Sequence, residues 1–478
     1  MKNNADSMAI LLQDQKKSHL TQMQVTAEQR RERIQLIINL IVDNHQQLVE
    51  AMEADFGGRS QGFSIMNDIL GSLACLKYTR DNLGPWLANQ DREVFSPYDQ
   101  LGSTARVEFQ PKGSVGIIGT WNAPLYTLLA PLACALGAGN RAILKPSEVT
   151  PKTAELLQDL CEKNIDPLIV GVVTGGFETG AAFSALAFDH LVFTGSTKVG
   201  KLVMRAAAEN LVPVTLELGG KSPVVVSDSC DLEETCKRLA IAKSSNGGQL
   251  CVSPDIIYFP RNKLDQAATL LLENYRTFFP QISNNSDSVP VVNQHHCQRI
   301  VELVEQARAA GCEVRSSHQI GDLTSAVTAD KRLPLQLVIS PNKAANIMQE
   351  EIFGPALILL PYDNVEEVIV DINSREKPLA LYYFGEDQEE LKMVLANTTS
   401  GGVSINDCLM HAAMHDAPFG GVGASGMGHY HGREGFLSFS HMRTVFVAPQ
   451  HDPRGEWGML PPFHDQFKAT MVAQVTSD

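Results

Sequence analysis

The amino-acid sequence predicts an α/β protein with two parallel-sheet domains and a small separate β-sheet. Short apolar runs alternate with helix-length stretches over residues 113–220, and the same alternation resumes over residues 224–406. Strands that are apolar on both faces need cover on both sides, so each alternation indicates a parallel sheet flanked by helices. Two further strand-like pieces, residues 105–109 and 444–447, lie far apart in the chain and can pair in a separate sheet.

Length and composition limit the classes of protein to which the chain can belong. Its 478 residues, 44% of them hydrophobic, suffice for two or three domains with a large core. The net charge of −15 disfavours nucleic acid and anionic membranes as partners, since both require clustered Lys and Arg. Nine scattered cysteines without C-x-x-C spacing fit a reducing compartment, and no zinc-type ligand spacing occurs. Because the chain also lacks an apolar leader and a membrane-length run, a cytoplasmic protein without a metal or a membrane contact is predicted.

The N-terminal part contains a predicted amphipathic helix. Thr26-Ala27-Glu28-Gln29 has the pattern of a capping box, and apolar residues then recur at helical spacing as far as Phe56. Further on, residues 105–109 alternate between apolar and polar side chains as a strand does, and residues 436–440 and 444–447 are also interpreted as strands. A small sheet of this kind often forms a subunit contact.

Each strand of the first alternation ends in small or polar residues. The strands are predicted at 115–118, 142–144, 169–173, 191–193 and 214–216, with helices at 151–164 and 197–210. Because ligands of parallel sheets bind at the carboxyl ends of the strands, this edge of the sheet is the predicted binding edge. The G-x-G-x-x-G pattern of a standard dinucleotide turn is absent, but Gly195-Ser196 opens a helix whose N-terminus suits a phosphate.

Cys251 lies near the start of the second alternation, which includes a helix through 299–304 and strands at 335–339, 356–360 and 379–384. The cysteine follows a turn-prone segment, and a thiol on such a connection can meet a ligand. The alternative is a buried structural cysteine, since free Cys packs as a small hydrophobe. His295-His296-Cys297, at a predicted helix start, is interpreted as surface.

Six ordered motifs resemble those of the aldehyde dehydrogenase superfamily, and together they cover nearly the whole chain. They are Thr120-Trp121-Asn122-Ala123-Pro124, Lys145-Pro146-Ser147-Glu148-Val149-Thr150-Pro151, Phe193-Thr194-Gly195-Ser196, Leu216-Glu217-Leu218-Gly219-Gly220-Lys221-Ser222-Pro223, Gly248-Gln249-Leu250-Cys251 and Glu350-Glu351-Ile352-Phe353-Gly354-Pro355. The closing run over residues 418–428, followed by Tyr430-His431-Gly432, is similar to the class-three branch. Within that branch the chain resembles the coniferyl aldehyde dehydrogenases.

The resemblance implies two Rossmann-like parallel-sheet domains, one for the cofactor and one for catalysis, and a small β oligomerisation arm. The NAD(P)-binding domain is expected at residues 1–91 and 112–217, and the catalytic domain at residues 218–417. The oligomerisation strands are expected at residues 92–111 and 436–450, and they imply a homodimer. This arrangement agrees with the two alternations and the separate strand pieces.

The resemblance also assigns three catalytic residues. Cys251 is expected to attack the aldehyde carbonyl, giving a thiohemiacetal that becomes a thioester once hydride has left. Asn122 is expected to donate a hydrogen bond to the developing oxyanion, or alternatively to cap a helix before Pro124. Glu217 is expected to be the general base that activates water against the thioester, or alternatively a carboxylate facing solvent at a strand end.

A nicotinamide cofactor is implied as well. Lys145 and Glu148 resemble the pair that holds the adenine ribose hydroxyls, and a carboxylate there favours NAD by repelling a 2′-phosphate. That preference is often relaxed in this branch, so NADP use stays open. Glu351 and Phe353 would meet the nicotinamide ribose and ring, their alternatives being a surface carboxylate and a core aromatic. The other residues expected at the cofactor are Thr120, Trp121, Gly195, Ser196, Val199 and Leu218.

The substrate is expected to be an apolar or aromatic aldehyde, coniferyl aldehyde among them. The residues expected around it offer no charge for a semialdehyde carboxylate, and they are Tyr126, Leu250, Val252 and Phe419. His411 is either close to the substrate mouth or an ordinary loop histidine. Two other functions stay open, namely acyl transfer to CoA or phosphate and a non-catalytic use of the same fold. Glu217 disfavours the first, and its combination with Cys251 and Asn122 disfavours the second.

Overall fold

In a computed structural model of the chain, the structure describes residues 5–22, 24–319, 323–328 and 330–476. They fall into two compact units. One comprises the residues through Trp86 together with Pro111–Ser440, and the other comprises Leu87–Gln110 together with the residues from His441 onward.

The helices are distributed along the whole described chain. They are α1 Ala5–Thr21, α2 Ala27–Phe56, α3 Gln61–Ser64, α4 Gly71–Leu87, α5 Tyr126–Gly137, α6 Pro151–Asn164, α7 Phe177–Ser184, α8 Thr197–Ala208, α9 Leu232–Ser244, α10 Leu264–Phe278, α11 Gln294–Ala309, α12 Leu323–Thr328, α13 Asn346–Gln349, α14 Val365–Asn373, α15 Gln388–Asn397, α16 Gly432–Ser438 and α17 Asp465–Ala473. A π-helical turn, Ile65–Leu70, connects α3 with α4.

The strands form three sheets. They are β1 Gln90–Arg92, β2 Thr104–Pro111, β3 Ser114–Ile118, β4 Arg141–Lys145, β5 Val170–Val172, β6 His190–Gly195, β7 Val214–Leu218, β8 Pro223–Val226, β9 Ile256–Pro260, β10 Glu313–Ser316, β11 Gln336–Ile339, β12 Ala356–Tyr362, β13 Ala380–Phe384, β14 Gly402–Ile405, β15 Gly426–Met427 and β16 Ser440–Val447.

The predicted capping box at the start of α2 is present. The Thr26 hydroxyl accepts from the Gln29 backbone N–H at 3.2 Å, and the Gln29 side chain accepts from the Thr26 backbone N–H at 3.0 Å. These two bonds satisfy backbone donors that the first helical turn leaves without partners. The helix ends at Gly57, whose φ of 75° suits a residue without a side chain.

The first sheet has six strands in the order β15-β7-β6-β3-β4-β5. All neighbours are parallel except β15, which runs antiparallel to β7. The register places Ile118 opposite both Lys145 and Phe193, and Thr194 opposite Glu217. The carboxyl ends of four strands therefore form one continuous edge, as the sequence predicts.

The second sheet has seven strands in the order β10-β11-β12-β9-β8-β13-β14. Only its edge strand β10 is antiparallel to its neighbour, and the others pair in parallel. Buried apolar side chains of α11, α13 and α14 pack against this sheet. The predicted α/β class with two parallel-sheet domains is confirmed.

The third sheet is small and has the order β1-β2-β16. The strand predicted to begin at Phe436 is wrong, because residues up to Ser438 belong to α16 and β16 begins only at Ser440. Phe436 packs against Trp86 at 5.8 Å between ring centroids, and Phe439 packs against His190 at 5.1 Å. Phe436 and Phe439 are three residues apart, a spacing that places two side chains on one face of a helix. Their contacts with Trp86 and His190 therefore outweigh the preference of this segment for a strand.

Among the helices of the described chain, none is long and apolar enough to cross a membrane.

Candidate active site

Asn122 lies in the turn between β3 and α5. Its side chain is directed at residues 246–251, which we call the nucleophile turn after the predicted nucleophile Cys251. Its amide Nδ2 donates to the main-chain carbonyl of Gln249 at 3.0 Å. Helix α5 begins at Tyr126, and no side chain of its N-cap residue Leu125 caps it. Instead Asp68 Oδ1 accepts from the backbone N–H groups of Leu125 and Tyr126, at 3.1 and 3.3 Å. The capping alternative for Asn122 is therefore wrong.

Cys251 follows a tight turn that few residues can form. Asn246, Gly247 and Gly248 have positive φ angles of 50°, 61° and 75°. A Cβ on Gly248 would overlap the carbonyl oxygen of Gly354, so this position requires glycine. The turn brings the thiol into the same interior region as Glu217, whose carboxyl group acts electrostatically on it.

The Cys251 thiol is protonated in the resting protein. The residue is partly accessible to solvent, although protein surrounds its side chain. Burial, followed by the nearby Glu351 and Glu217 carboxyl groups, raises the pKa of the thiol to about 12. Nucleophilic attack therefore needs a group that takes the proton or a change in this environment.

Glu217 is a buried carboxyl group without a partner. It stands in β7 and is 3% exposed, which excludes the solvent-facing alternative. Within the described part of the chain, neither of its carboxyl oxygens has a hydrogen-bond partner. Burial raises its pKa well above the ordinary value, because the protein interior disfavours the charged carboxylate. A buried polar group left unsatisfied is costly for stability, and such groups are concentrated at functional sites.

Glu351 and Phe353 lie beside this region. Burial, followed by Asp255, raises the pKa of Glu351 to about 8, although its carboxyl group accepts a hydrogen bond from the Gly220 backbone. A Cβ on Gly219 would overlap that carboxyl group. The Phe353 ring stands edge-on to Trp121 with centroids 5.3 Å apart, and its backbone φ is +50°. Phe353 is partly exposed, in disagreement with the core-aromatic alternative.

The predicted cofactor residues of the six-stranded sheet lie along its carboxyl edge. Lys145 Nζ and Glu148 Oε2 are 2.8 Å apart, and Lys145 is buried whereas Glu148 is half exposed. Burial alone would raise the pKa of Glu148, but the hydrogen bond from Lys145, a backbone hydrogen bond and the Lys145 charge together outweigh burial and hold the pKa below its ordinary value.

Helix α8 begins at this same edge. Ser196 caps it by accepting from the Val199 backbone N–H at 3.4 Å. Gly195 stands opposite Leu218 in the strand register, and the backbone N–H of Thr120 donates to Thr127 at 3.1 Å. The Val199 side chain is exposed on α8.

Two of the predicted substrate residues, Tyr126 and Phe419, both contact His431, a residue for which the sequence predicted no role. The Tyr126 hydroxyl and His431 Nε2 are 3.0 Å apart, and the Phe419 ring stacks on the His431 ring at 5.7 Å. Val252 is buried, with its carbonyl accepting from the Tyr382 hydroxyl, and Leu250 is partly exposed in the nucleophile turn. Among the described contacts, none joins Leu250 or Val252 to the aromatic group around His431.

Sequence reasoning missed several residues around the site. Tyr430 and His431 stand in a motif that was recognised, yet both are buried beside Phe419, and Tyr430 lies near Glu217 and Cys251. The sequence signal that could have identified both residues is a pair of adjacent aromatic side chains between glycine-rich segments.

The interpretation of one further segment changes. The surface interpretation of His295-His296-Cys297 is wrong in part, because the His296 ring packs on Trp121 at 5.0 Å and Cys297 is fully buried. His411 Nδ1 lies 2.8 Å from the Ser404 hydroxyl. In the described residues, no group of three or more His, Cys, Asp or Glu side chains could hold a metal ion.

Comparison with known proteins adds to this geometry. The sequence model of the Aldehyde dehydrogenase family matches residues 3–445. A protein named probable coniferyl aldehyde dehydrogenase from Caulobacter vibrioides is 41% identical over 466 residues, which cover 97% of this chain and 96% of the relative. Aldehyde dehydrogenase family 3 member A2 of Rattus norvegicus is 37% identical and covers 87% of this chain and 84% of its own length. A dimeric NADP-preferring aldehyde dehydrogenase of Canis lupus familiaris is 35% identical, with coverage of 88% and 90%.

Solved structures show the same architecture. AldH of Staphylococcus aureus in a substrate-bound state superposes with a TM-score of 0.89 at 34% identity, covering 97% of this chain and 98% of its own. An aldehyde dehydrogenase of Mycobacterium tuberculosis complexed with NAD+ superposes with a TM-score of 0.82 at 25% identity, covering 94% and 91%.

Proposed function

The chain belongs to the aldehyde dehydrogenase family of NAD(P)-dependent oxidoreductases, and from that premise we propose that it oxidises an apolar or aromatic aldehyde, such as coniferyl aldehyde, to the carboxylic acid. The membership, the class-three branch and the similarity to coniferyl aldehyde dehydrogenases were all inferred from sequence motifs and are confirmed. The roles of individual residues remain our proposal.

The observation that carries the mechanism is the hydrogen bond from Asn122 to the Gln249 carbonyl at 3.0 Å. It fixes a side-chain amide beside the turn that bears Cys251. An amide nitrogen carries two hydrogens, so one is engaged by Gln249 and the second is left for an oxyanion. Attack by the Cys251 sulfur on the aldehyde carbon places negative charge on the carbonyl oxygen, and this donor stabilises it.

Glu217 serves the second half of the reaction. After hydride leaves the thiohemiacetal carbon, Cys251 carries the acyl group as a thioester. Glu217, in its deprotonated form, takes a proton from a water molecule that attacks the thioester carbon, and the carboxylic acid leaves as the thiol is regenerated. Its burial without a hydrogen-bond partner supports this role, because a structural carboxylate would be paired.

The residues at the strand edge fit a dinucleotide. We assign the ribose hydroxyls to the half-exposed Glu148 and the pyrophosphate to the capped N-terminus of α8. The bare Cα of Gly219 leaves space that the Glu351 carboxyl group occupies, and Phe353 offers an aromatic ring near Trp121. When bound, NAD(P) supplies the hydride acceptor. We assign NAD, with NADP also usable, since one relative is NAD+-bound and another is named NADP-preferring.

The substrate class follows from the aromatic residues near the nucleophile. Tyr126, Phe419 and His431 form one contacting group, and burial holds the pKa of His431 down at about 3, so it is neutral. A neutral aromatic group favours an apolar aldehyde and offers no counter-charge to a carboxylate.

We assign a separate role to each of the three sheets. In our proposal residues 1–91 and 112–217 bind NAD(P), and residues 218–417 carry the nucleophile. The small sheet of residues 92–111 and 440–450 joins two copies into a homodimer, in keeping with the relative named dimeric. The cytoplasmic location expected from the scattered cysteines stays a prediction.

A panel of aldehydes tests the proposal. The purified protein is assayed with coniferyl aldehyde, cinnamaldehyde, benzaldehyde and hexanal against succinic and glutamic semialdehydes, each with NAD and with NADP. The apolar aldehydes should give kcat/KM values at least about tenfold higher, with the carboxylic acid as product. Faster oxidation of either semialdehyde would contradict the substrate class.

A further inference from the structure

Arg59 and Asp68 form an ion pair in the protein interior. Arg59 Nη2 lies 2.8 Å from Asp68 Oδ2, and both side chains are fully inaccessible to solvent. Arg59 follows α2, and Asp68 stands in the π-helical turn Ile65–Leu70. Moving two charges out of water costs several kcal/mol per ion, so a buried pair persists only where further hydrogen bonds satisfy both groups. Arg59 Nη1 donates to Met52 Sδ and Asp68 Oδ2 accepts from Asn67 Nδ2, at 3.2 Å each, and the other partners lie in or next to the turns that carry Asn122 and Cys251.

The guanidinium of Arg59 contacts both of those turns. Its Nη2 donates to the main-chain carbonyl of Asn122 at 3.1 Å, and its Nε donates to Asn246 Oδ1 at 3.3 Å. The rings of Phe56 and Phe63 lie 5.0 and 5.2 Å from its central carbon, and they hold the group in place. One planar cation thus bonds the turn of the oxyanion donor and the turn of the nucleophile.

Asp68 fixes the other end of the Asn122 turn. Its Oδ1 accepts from the first backbone donors of α5, those of Leu125 and Tyr126, at 3.1 and 3.3 Å. A carboxylate at a helix N-terminus is stabilised by the helix dipole. Residues 122–126 are therefore held from both sides, by Arg59 at the carbonyl of Asn122 and by Asp68 at the helix start.

Arg59 also determines how the Asn246 amide is oriented. A guanidinium can only donate, so the Asn246 oxygen must face Arg59 and the Nδ2 group must face away. That Nδ2 donates to the Asn122 carbonyl at 3.0 Å and to the Gln249 carbonyl at 3.1 Å. The Gln249 carbonyl is the same group that orients the Asn122 side chain. The bonds form a continuous path from Arg59 through Asn246 and Gln249 to the Asn122 amide.

We propose that Arg59 and Asp68 are positioning residues that set the Asn122 amide relative to the Cys251 thiol. This inference rests on the proposed function, in which Asn122 stabilises the oxyanion. The pair touches neither substrate nor cofactor in this scheme and acts through the two turns. A displacement of about 1 Å in such a donor lowers the rate on the order of a hundredfold. The rate gained by accurate placement therefore explains why a buried ion pair is kept despite its desolvation cost.

A double-mutant cycle between Arg59 and Asn122 tests this. Arg59→Lys keeps the charge but lacks the planar fork that reaches both turns, and Asn122→Ala removes the amide. Initial rates with benzaldehyde and NAD, and thermal unfolding, are measured for the wild type, both single variants and the double variant. Arg30→Lys is the matched control, because Arg30 is another buried arginine and it donates to the carbonyls of Val25 and Gly137, at 3.0 Å each.

In the wild-type background, Arg59→Lys should lower kcat about tenfold with little change in KM. In the Asn122→Ala background, the same substitution should lower kcat by less than about twofold. Arg30→Lys should lower the melting temperature while changing kcat equally in both backgrounds. Equal losses for Arg59→Lys in both backgrounds overturn the positioning role and leave the proposed function intact. Wild-type kcat in Asn122→Ala overturns the oxyanion assignment itself, and the positioning role with it.

A second variant covers the case in which Arg59→Lys does not fold. Asn246 has a positive φ of 50°, so Asn246→Gly suits the backbone and removes only the connecting amide. It should lower kcat with the same dependence on Asn122. A loss that is unchanged in the Asn122→Ala background again overturns the positioning role.

Discussion

Asn122 donates its side-chain amide to the main-chain carbonyl of Gln249 at 3.0 Å, and Gln249 precedes Cys251 by two residues. This bond couples a turn of the six-stranded sheet domain to the nucleophile turn that follows α9. The proposed catalytic geometry therefore depends on main-chain positions as much as on the side chains to which we assign catalytic roles. Substitutions that preserve both turns should separate chemistry from folding.

Replacing Cys251 by serine should abolish NADH production and leave the fold intact. A serine hydroxyl is a far weaker nucleophile than a thiol unless a strong base activates it. Steady-state rates and cofactor binding are measured together, with Cys312→Ser as the control because Cys312 is a partly buried thiol to which we assign no role, packed against the core of the seven-stranded sheet. Turnover comparable to the wild type would refute the nucleophile assignment.

Glu217→Gln should separate the two half-reactions. Glutamine keeps the size of the side chain but cannot take a proton from water, so the thioester should form and then hydrolyse slowly. Rapid mixing with aldehyde and NAD should show a burst of about one NADH per active site before a slow steady rate. Intact-mass measurement should find the acyl group on Cys251. If the burst disappears along with steady turnover, Glu217 acts in activating the thiol instead.

The stability of the protein should depend on pH through Glu217. Burial raises the pKa of Glu217 in the folded state, so the folded protein binds a proton that the unfolded chain releases above the ordinary carboxyl range. The folded state binds more protons, and its stability therefore falls as pH rises from about 4.5. The melting temperature of Glu217→Gln relative to wild type should increase steadily toward neutral and alkaline pH. A constant difference across that range would show that the group is charged when buried.

Glu148→Gln should raise the relative use of NADP. The variant removes a negative charge that would repel a 2′-phosphate, and it keeps the hydrogen-bonding shape of the side chain. The ratio of kcat/KM for NADP to that for NAD is the measurement, with the exposed Glu155→Gln on α6 as the control. The ribose assignment is wrong if the ratio for Glu148→Gln stays at the wild-type value.

Gly219→Ala should affect cofactor binding more than folding. The added methyl group would overlap the Glu351 carboxyl group, which is the flexible end of a side chain and can move aside. Displacing the Glu351 carboxyl group from its present position should raise KM for NAD about fivefold. That factor corresponds to the loss of one hydrogen bond to the cofactor, with a free energy of about 1 kcal/mol. Gly176→Ala, where a methyl group meets open space, is the matched control. A KM for NAD equal to that of the control would remove Glu351 from the cofactor site.

Much of the fold could be predicted from local pattern, because helix and strand periodicities are properties of short segments. Helix α6 was predicted with the bounds it has, and most strands of both large sheets were recognised from runs apolar on both faces, whereas β10, β14 and β15 were not predicted. The segment at Phe436 was mispredicted because its aromatic residues fit a strand as well as a short helix. Only their partners Trp86 and His190, far away in sequence, decide between the two.

The candidate site was predicted less completely, for a physical reason. Cys251, Glu217 and Asn122 stand in motifs and could be named from the resemblance. Arg59 and Asp68 carry no such signal, since a charged residue in a connection is ordinarily exposed and only the folded chain shows that this pair is buried. Long-range contacts of this kind are not encoded in any single segment.

The state of the thiols has a chemical consequence for an enzyme of this substrate class. Cinnamyl-type aldehydes are electrophilic at the β-carbon as well as at the carbonyl, and conjugate addition to that carbon consumes thiolates. Burial raises the pKa of Cys251 and of seven other cysteines, namely Cys75, Cys134, Cys161, Cys230, Cys236, Cys297 and Cys408. A protonated thiol is a poor nucleophile. Burial in the fold thereby disfavours conjugate addition of the aldehydes that the enzyme is proposed to oxidise to the seven cysteines other than Cys251.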